Sequence, residues 1–325
     1  MHSTLIMRSH HQKERTFDLN SKYHRHVIIN FIYKSRYGFK MRLTKLAVIL
    51  ITYFTFCNIA HSDTKQPILT FDWATAETLA MLDVKPFGVT LLKGYNTWTN
   101  GELIPVGTID LGLTPMPNLE LMSHIEPSLI LVNNVRLSQA LARIAPTENV
   151  SLFPITGAPW TATLDFTMAL AERLSLQEVA QRFIDESEQQ LSRLSYRLPD
   201  NQKPIIIAQF RDERHVWIYG QNSLLQGVLD QLGLTNAWDK PTSHAGVSVV
   251  SIDELPTIEG QLVIMRSPLY ISTISDRLNH SGLWQALLSL RNSSTVYIPV
   301  DYWPLGGLPS AMRFAEALVE VLEDT

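Results

Sequence analysis

Cysteine is almost absent from this chain of 325 residues, which has only Cys57. Because Cys57 lies in an apolar run near the N-terminus, the sequence predicts neither a disulfide framework nor a cysteine-based metal site. Histidine is sparse after residue 62, where it stands singly at positions 124, 215, 244 and 280 without the short spacing of metal ligands. We therefore expect no directly bound metal and no resident cofactor.

The motifs of common enzyme classes are also missing. The sequence has no glycine-rich phosphate loop, no Gly-x-Ser-x-Gly elbow and no His-Glu-x-x-His pair. We predict that the protein binds its ligand and does not catalyse a reaction. A secreted hydrolase on a related α/β scaffold is the distant alternative, and turnover of ester or phosphate substrates would support it.

Positive charge is scarce beyond the N-terminal segment. Ten of the 27 lysine and arginine residues precede residue 63, but only Glu14 and Asp18 of the 31 acidic residues do. The remainder carries 17 basic and 29 acidic side chains, a net charge of −12. Binding to nucleic acid needs clustered basic residues that displace counterions, so we expect no nucleic-acid partner.

Residues 41–62 have the layout of a secretory signal. A short cationic start precedes the apolar run Leu46 to Phe56, and small residues follow at Ala60 and Ser62. The uncharged run is shorter than the roughly 20 residues of a membrane-spanning helix, which disfavours the competing interpretation as an anchor. We predict that residues 1–62 are an upstream extension plus a signal peptide, removed on export to the periplasm.

Two segments of the chain align without a gap, which suggests a duplication. Residues 118–132 and 251–265 each begin with a helix-start residue and continue through an apolar turn into a β-rich run. A weaker similarity links residues 78–86 to residues 228–236 in the same order. We therefore expect two related lobes.

The pattern of apolar residues predicts the fold class. Between Leu176 and Leu194 they recur mostly three, four or seven apart, as in one long helix, and Pro199 stops it. Apolar and alternating runs predict strands at residues 68–73, 129–132, 205–210, 216–219, 262–265 and 295–300. We predict an α/β fold with mostly parallel sheets and a ligand groove between its two lobes. The predicted parts are an N-terminal lobe (63–160), a helical segment with the long inter-lobe helix (161–199) and a C-terminal lobe (200–325).

Aromatic residues and arginines lie beside turns and predicted strand ends. Large aromatic rings combined with a guanidinium suit a bulky, partly apolar ligand with oxygen acceptors. For each tryptophan, packing inside a lobe is the alternative, and for an arginine it is a solvated charge. The candidates found by position are Trp73, Trp98, Trp238, Tyr302, Trp303, Arg136, Arg211 and Arg266.

Glu120 and Asp253 occupy equivalent points of the repeat, each in the first turn of its predicted helix. Acids in that position complement the helix dipole. They are also candidates for a pair of surface acids, one per lobe, that binds arginines of a two-fold symmetric partner. Both interpretations can hold together.

Several segments in order resemble the FhuD-type periplasmic ferric hydroxamate-binding proteins, which belong to the helical-backbone class of ABC-importer binding proteins. The resemblance covers about residues 66–322. It is carried by residues 110–121 (DLGLTPMPNLEL), 141–146 (LARIAP), 220–225 (GQNSLL), 236–238 (NAW), 250–253 (VSID) and 310–314 (SAMRF).

The resemblance implies a monomeric protein that binds a ferric siderophore, whose chelator ligates the iron, and delivers it to an inner-membrane ABC permease of the ferric hydroxamate type. It implies that Glu120 and Asp253 dock onto this permease. Carried over by position, the aromatic or apolar groove contacts are Trp98, Phe210, Trp238, Tyr302 and Trp303.

The sequence departs from the family at the polar end of the groove. Thr114 stands where relatives carry an arginine that bonds the hydroxamate oxygens, and a tyrosine expected after the next strand is missing from a shortened loop. Arg136 lies in that loop. Our hypothesis is that Arg136 replaces the missing donors, because a guanidinium can offer two parallel hydrogen bonds.

The loop of residues 242–248 also departs from the family, since Ala245 stands where relatives often have tryptophan. A mixed or catecholate-containing chelator is therefore one alternative cargo. Vitamin B12 and haem are others, and haem would need a ligand to its iron that His244 or Tyr302 could supply.

Overall fold

The computed structural model describes residues 67–99, 102–268, 270–290 and 295–323. The predicted extension and signal peptide, residues 1–62, lie outside the described residues. Within the described part of the chain, no helix combines the length and the apolar character that crossing a bilayer requires.

The N-terminal lobe contains a five-stranded sheet in the order β3-β2-β1-β6-β7, and every neighbouring pair is parallel. A hairpin of two short strands, β4 and β5, stands apart from it. The strands are β1 Ile68–Thr70, β2 Gly88–Val89, β3 Ile109–Asp110, β4 Gly112–Leu113, β5 Met116–Pro117, β6 Leu129–Val132 and β7 Thr147–Asn149. The helices are α1 Trp73–Met81, α2 Leu92–Trp98, α3 Leu119–Ile125 and α4 Val135–Leu141.

The C-terminal lobe contains a second five-stranded sheet, in the order β10-β9-β8-β11-β12. Its strands are β8 Ile205–Phe210, β9 His215–Tyr219, β10 Val247–Ser251, β11 Gln261–Arg266 and β12 Thr295–Pro299. The helices are α7 Leu224–Leu232, α8 Ser275–Asn279, α9 Gly282–Leu290 and α10 Leu308–Leu322, with a 3-10 helix at Ile252–Thr257 and a π-helix at Tyr270–Ile274.

The strand order of the two sheets is consistent with the predicted duplication. In each lobe its copy of the repeat supplies the fourth strand of the sheet: β6 lies between β1 and β7, and β11 lies between β8 and β12. The helix before β6 is α3, whereas the equivalent segment before β11 is a 3-10 helix that contains Pro256. Proline has no N–H to donate and disfavours α-helical geometry in the residue before it, which accounts for the difference.

The second sheet is mixed, so it differs from an all-parallel arrangement. Strand β9 runs antiparallel to both β8 and β10, while β11 is parallel to β8 and β12. Only four residues separate β8 from β9, and a connection this short can join antiparallel strands but cannot make a parallel crossover.

One long helix connects the lobes, as the sequence predicts. After α5 (Pro159–Arg173), helix α6 (Gln177–Ser195) has 19 residues and a length of about 28 Å. Its Ala180 packs in a cluster with Leu79 and Leu131 of the N-terminal lobe. Leu191, about three turns further along the helix, packs in the large core of the C-terminal lobe. The apolar face of this helix therefore belongs to both cores.

Candidate ligand-binding site

Aromatic side chains from both lobes meet in one group, the interlobe aromatic cluster: Trp73, Tyr95, Trp98, Trp217 and Trp303. Trp98 stacks on Trp217 with ring centroids 5.4 Å apart and an interplanar angle of 26°. Trp73 packs edge to face against Trp303 at 4.7 Å and against Tyr95 at 5.4 Å. The four tryptophans are partly exposed and Tyr95 is buried, so the cluster can offer aromatic surface to a ligand.

Hydrogen bonds fix the N-terminal wall of this cluster. Asp72 caps helix α1 by accepting from the backbone N–H of Thr75 at 2.9 Å, so the helix begins at Trp73 directly after strand β1. The indole N–H of Trp73 donates to the carbonyl of Thr90 at 3.0 Å. The hydroxyl of Thr90 is 3.0 Å from that of Thr114 in the β4–β5 hairpin. Thr114 is thus tied to the strand end that also holds Trp73.

The C-terminal wall is formed at the carboxyl end of strand β8 and in its antiparallel neighbour. Trp217 lies in β9 opposite Gln209 of β8. The guanidinium of Arg211, which follows β8, lies 5.3 Å from the centroid of the Trp217 ring. A positive charge therefore lies beside the stacked Trp98 and Trp217, and it would suit an anionic or oxygen-rich ligand.

A buried carboxylate lies behind the cluster. Glu77 of α1 is 1% exposed and accepts hydrogen bonds from Tyr95 at 2.8 Å and from Ser310 of α10 at 2.6 Å. Burial raises the pKa of Glu77 to about 7, although its hydrogen bonds oppose the shift. The hydroxyl of Ser310 also accepts from the backbone N–H of Trp303 at 3.0 Å. Glu77 consequently links the two lobes from inside.

An ion pair links the lobes near the cluster. The guanidinium of Arg313 in α10 bonds Glu102 of the N-terminal lobe at 2.8 Å and Asp301 of its own lobe at 2.7 Å. All three side chains are partly exposed, so the pair adds little stability by itself. It is nevertheless a second contact between the lobes, in addition to the contacts of the tryptophans.

Arg136 lies at the start of α4, just beyond strand β6. The side chain of Asn134 caps this helix by accepting from the backbone N–H of Arg136 at 2.9 Å. The neighbouring Asn133 donates to Asp72, next to Trp73, at 3.2 Å, and burial raises the pKa of Asp72. The Arg136 side chain is exposed and makes no hydrogen bond or ion pair among the described residues. Its guanidinium is therefore exposed to solvent on the same lobe as Trp73.

Three of the predicted contacts need correction, because their side chains are buried in the C-terminal lobe. Phe210 and Tyr302 are fully buried, and Trp238 is 3% exposed. Phe210 packs edge to face on Trp284, and Tyr302 packs on Phe314. These rings form core and offer no surface to a ligand in this structure, which also removes Tyr302 as a candidate ligand of haem iron.

The remaining predicted residues are exposed at separate places. His244 lies in the turn before β10, and no group of three potential metal-ligating side chains converges within the described residues. Glu120 lies in the first turn of α3, and Asp253 lies in the first turn of the 3-10 helix. The two acids therefore occupy equivalent, exposed positions of the two lobes.

Sequence reasoning missed Trp217, Tyr95 and Glu77. Trp217 lies in a predicted strand, where an aromatic residue is expected to be core, and its partner Trp98 is 119 positions away. Glu77 lies in an apolar helical segment, Trp73–Met81, and a single acid surrounded by apolar residues was the signal that could have marked it.

A second concave surface lies along the carboxyl ends of β11 and β12. It is an open cleft of about 470 Å³ lined by Arg266, Tyr297, Ile271 and Val300, among others. The guanidinium of Arg266 lies 6.0 Å from the centroid of the Tyr297 ring. Arg266 is the last residue of β11 and not, as predicted, past the strand; it lies at the same sheet edge as Arg211, which follows β8.

Comparisons with known proteins agree with this architecture. The iron(3+)-hydroxamate-binding protein FhuD of Escherichia coli K12 is 30% identical over 266 residues, covering 80% of this chain and 89% of that protein. The Fe3+–Desferal-bound siderophore-binding protein FhuD of Vibrio cholerae has a TM-score of 0.71 and 25% identity, covering 79% and 98% of the two chains. The triscatecholate siderophore-binding protein FeuA of Bacillus subtilis, in complex with ferri-bacillibactin, has a TM-score of 0.63 and 18% identity, covering 79% and 92%.

The family comparison covers both lobes and the helix that connects them. The sequence profile of the periplasmic binding proteins matches residues 68–302, from strand β1 to the residue before Trp303. With this match and the 30% identity to FhuD of E. coli, the chain belongs to the periplasmic binding protein family.

Proposed function

We propose that the protein binds a ferric hydroxamate siderophore in the periplasm and delivers it to the inner-membrane permease of an ABC importer. The observation that carries the proposal is the interlobe aromatic cluster with Arg211 beside it, in a fold that aligns with a Fe3+–Desferal-bound protein at a TM-score of 0.71. Exposed indole rings suit the apolar chain of such a chelate, and the guanidinium suits its oxygens.

In this proposal the protein has no catalytic residue, because binding and release need only reversible contacts. The chelator ligates the iron, so the protein supplies shape, aromatic surface and hydrogen-bond donors. Arg136 is the proposed donor to the hydroxamate oxygens in place of the arginine that Thr114 replaces. The exposed Glu120 and Asp253 are the proposed docking contacts for the permease, one on each lobe.

A catecholate or mixed chelator is the second candidate for the cargo. The fold is shared with the triscatecholate-binding FeuA, and arginines at two strand ends, Arg211 and Arg266, would complement the higher negative charge of a ferric catecholate. The hydroxamate is favoured because the relative with 30% identity, over most of both chains, is a hydroxamate-binding protein.

Tryptophan fluorescence tests the cargo directly, since four tryptophans form the cluster. The purified protein is titrated with ferrichrome, Fe3+–Desferal, a ferric catecholate, haem and cobalamin. Saturable quenching by a ferric hydroxamate supports the proposal. Saturation by one of the other cargoes alone would keep the fold and reject the specificity.

The role of Arg136 is tested in the same assay. Arg136→Ala is expected to weaken hydroxamate binding by about tenfold or more, the value of a charge-assisted hydrogen bond. Arg143→Ala removes another exposed arginine just beyond the same helix α4 and is the matched control. Equal affinities of Arg136→Ala and the wild type would reject the role of this residue.

A further inference from the structure

We propose that Glu77 is a positioning residue that holds the aromatic surfaces of the two lobes in register for the ligand. The inference rests on the proposed function, since the register matters for a ligand that contacts both lobes. Glu77 does not face the ligand. It acts through Tyr95 on one side and Ser310 on the other.

Each oxygen of the Glu77 carboxylate is connected by a hydrogen bond to a residue that contacts one tryptophan of the cluster. Tyr95 donates to Oε1 at 2.8 Å, and the Tyr95 ring packs edge to face on Trp73 at 5.4 Å. Ser310 donates to Oε2 at 2.6 Å and accepts from the backbone N–H of Trp303 at 3.0 Å. Because Trp73 and Trp303 meet at 4.7 Å, one carboxylate orients both partners of an aromatic contact that joins the lobes.

The backbone of Gly306 and Gly307 lies so close to α1 that neither position has room for a side chain. A Cβ atom added to Gly306 would lie 2.4 Å from Oε2 of Glu77, and one added to Gly307 would lie 2.5 Å from the hydroxyl of Thr78. The backbone N–H of Gly307 also donates to Glu77. The two glycines therefore allow the chain after Trp303 to approach α1, and the carboxylate satisfies the polar groups buried there.

Ionisation of Glu77 determines how the hydroxyls are arranged. A carboxylate accepts from Tyr95 and Ser310 together, which leaves the Ser310 oxygen lone pairs for the N–H of Trp303. A neutral acid must donate its proton to one of these hydroxyls, so one donor has to reverse its role. The ionised form consequently accepts from both hydroxyls at once, whereas the neutral form can accept from only one of them, so one of the two links through Glu77 is weakened.

The charged surroundings of Glu77 keep both forms accessible. Burial is the main cause that raises the pKa of Glu77, and the charge of Asp72, at the start of the same helix, adds to it; the Tyr95 phenol faces Glu77 from α2. Burial raises the pKa of Tyr95, and the charge of Arg313 in α10, which pairs with Glu102 and Asp301, opposes this rise. Since the pKa of Glu77 lies at about 7, its ionisation changes most between pH 6 and 8.

The test is the affinity for Fe3+–Desferal at pH 6, 7 and 8. In the wild type we expect the affinity to rise by about three- to tenfold over this range, the value of one hydrogen bond. Glu77→Gln should bind with an affinity that varies by less than about twofold. Tyr95→Phe should weaken binding, whereas Tyr219→Phe, which removes a buried phenol bonded to Gln209 at 2.7 Å, should keep the wild-type pH profile.

The proposal is overturned if Glu77→Gln and the wild type have the same affinity and the same pH profile. If Glu77→Gln fails to fold, Ser310→Ala removes the same link between the lobes and replaces it in the comparison. If no ferric hydroxamate binds to the wild type, the proposed function fails. The near-ultraviolet circular dichroism of the ligand-free protein then tests the role of Glu77. A tryptophan signal that changes with pH, with a midpoint near 7, in the wild type but not in Glu77→Gln supports this role. The same pH-dependent signal in both proteins rejects it.

Discussion

Raising the pH from about 5 to 8 should destabilise the folded protein through Glu77. The pKa of this carboxyl is about 7 in the folded protein because of burial, against its ordinary 4.5. Below pH 4.5 both the folded and the unfolded forms are protonated, so the contribution of Glu77 to stability is fully present. Between pH 4.5 and 7 the unfolded chain loses the proton and the folded protein keeps it. The free energy of unfolding therefore falls as the pH rises, and the loss is complete above about pH 7.

The magnitude follows from the same pKa values. One pKa unit corresponds to about 1.4 kcal/mol, so a rise from 4.5 to about 7 corresponds to roughly 3 kcal/mol of unfolding free energy. Most of it is lost between pH 5 and 7. This is a large fraction of the 5–15 kcal/mol that is typical of folded domains, and it should be measurable without ligand.

The assay is urea unfolding at pH 5, 6, 7 and 8, followed by tryptophan fluorescence. Other groups also titrate in this range, so the informative quantity is the difference between the wild type and Glu77→Gln, which has no ionisable group at this position. Over this pH range we expect the wild type to lose about 2.5 kcal/mol relative to the variant, because part of the total is already lost at pH 5. Glu188→Gln, an exposed position on α6, should leave the profile unchanged. A difference between the wild type and Glu77→Gln that stays constant from pH 5 to 8 would refute the reasoning.

Three further predictions concern the cluster, the core and the docking acids. Tyr302→Phe should leave the free energy of unfolding unchanged or raise it by about 1 kcal/mol, because the buried hydroxyl has no hydrogen-bond partner among the described residues; a loss in urea unfolding would contradict this. A double-mutant cycle of Trp98→Ala and Trp217→Ala should give a coupling of about 0.5–1.5 kcal/mol in stability, whereas additive effects would mean that the stack contributes nothing. Charge reversal at Glu120 and Asp253 should abolish siderophore-dependent transport and preserve the solution affinity, and transport at the wild-type rate would reject the docking role.

The elements of the fold could be predicted because local patterns specify them. Strands β6 and β8 begin and end where the apolar runs do, and the period of the apolar residues gave helix α6 to within one residue at each end. The direction of β9 could not be predicted, because periodicity in a strand is the same whether its neighbour runs parallel or antiparallel.

The candidate site was only partly predictable, because it depends on contacts between distant parts of the chain. Trp98 and Trp303 lie in loops or at element ends and were identified by position. Trp217 was not, because its exposure depends on which face of the second sheet meets the N-terminal lobe. Tyr302 follows a strand beside turn residues, as a ligand contact would, yet its ring packs on Phe314 in the core. A neighbouring turn places a residue near an edge but does not tell on which side its ring lies.

Because of the duplication, Glu77 should influence the proposed docking surface as well as the ligand groove. Glu120 and Asp253 lie at equivalent points of the two lobes, so the distance between them is set by how the lobes sit against each other and not by either lobe alone. The bond from Ser310 to Glu77 is a buried hydrogen bond across that boundary. A symmetric permease that binds one acid on each lobe would therefore depend on the same relative position of the lobes as a ligand that contacts tryptophans of both lobes. In that arrangement, weakening the link at Glu77 should affect cargo binding and docking together, whereas changes to Arg136 should affect cargo binding alone.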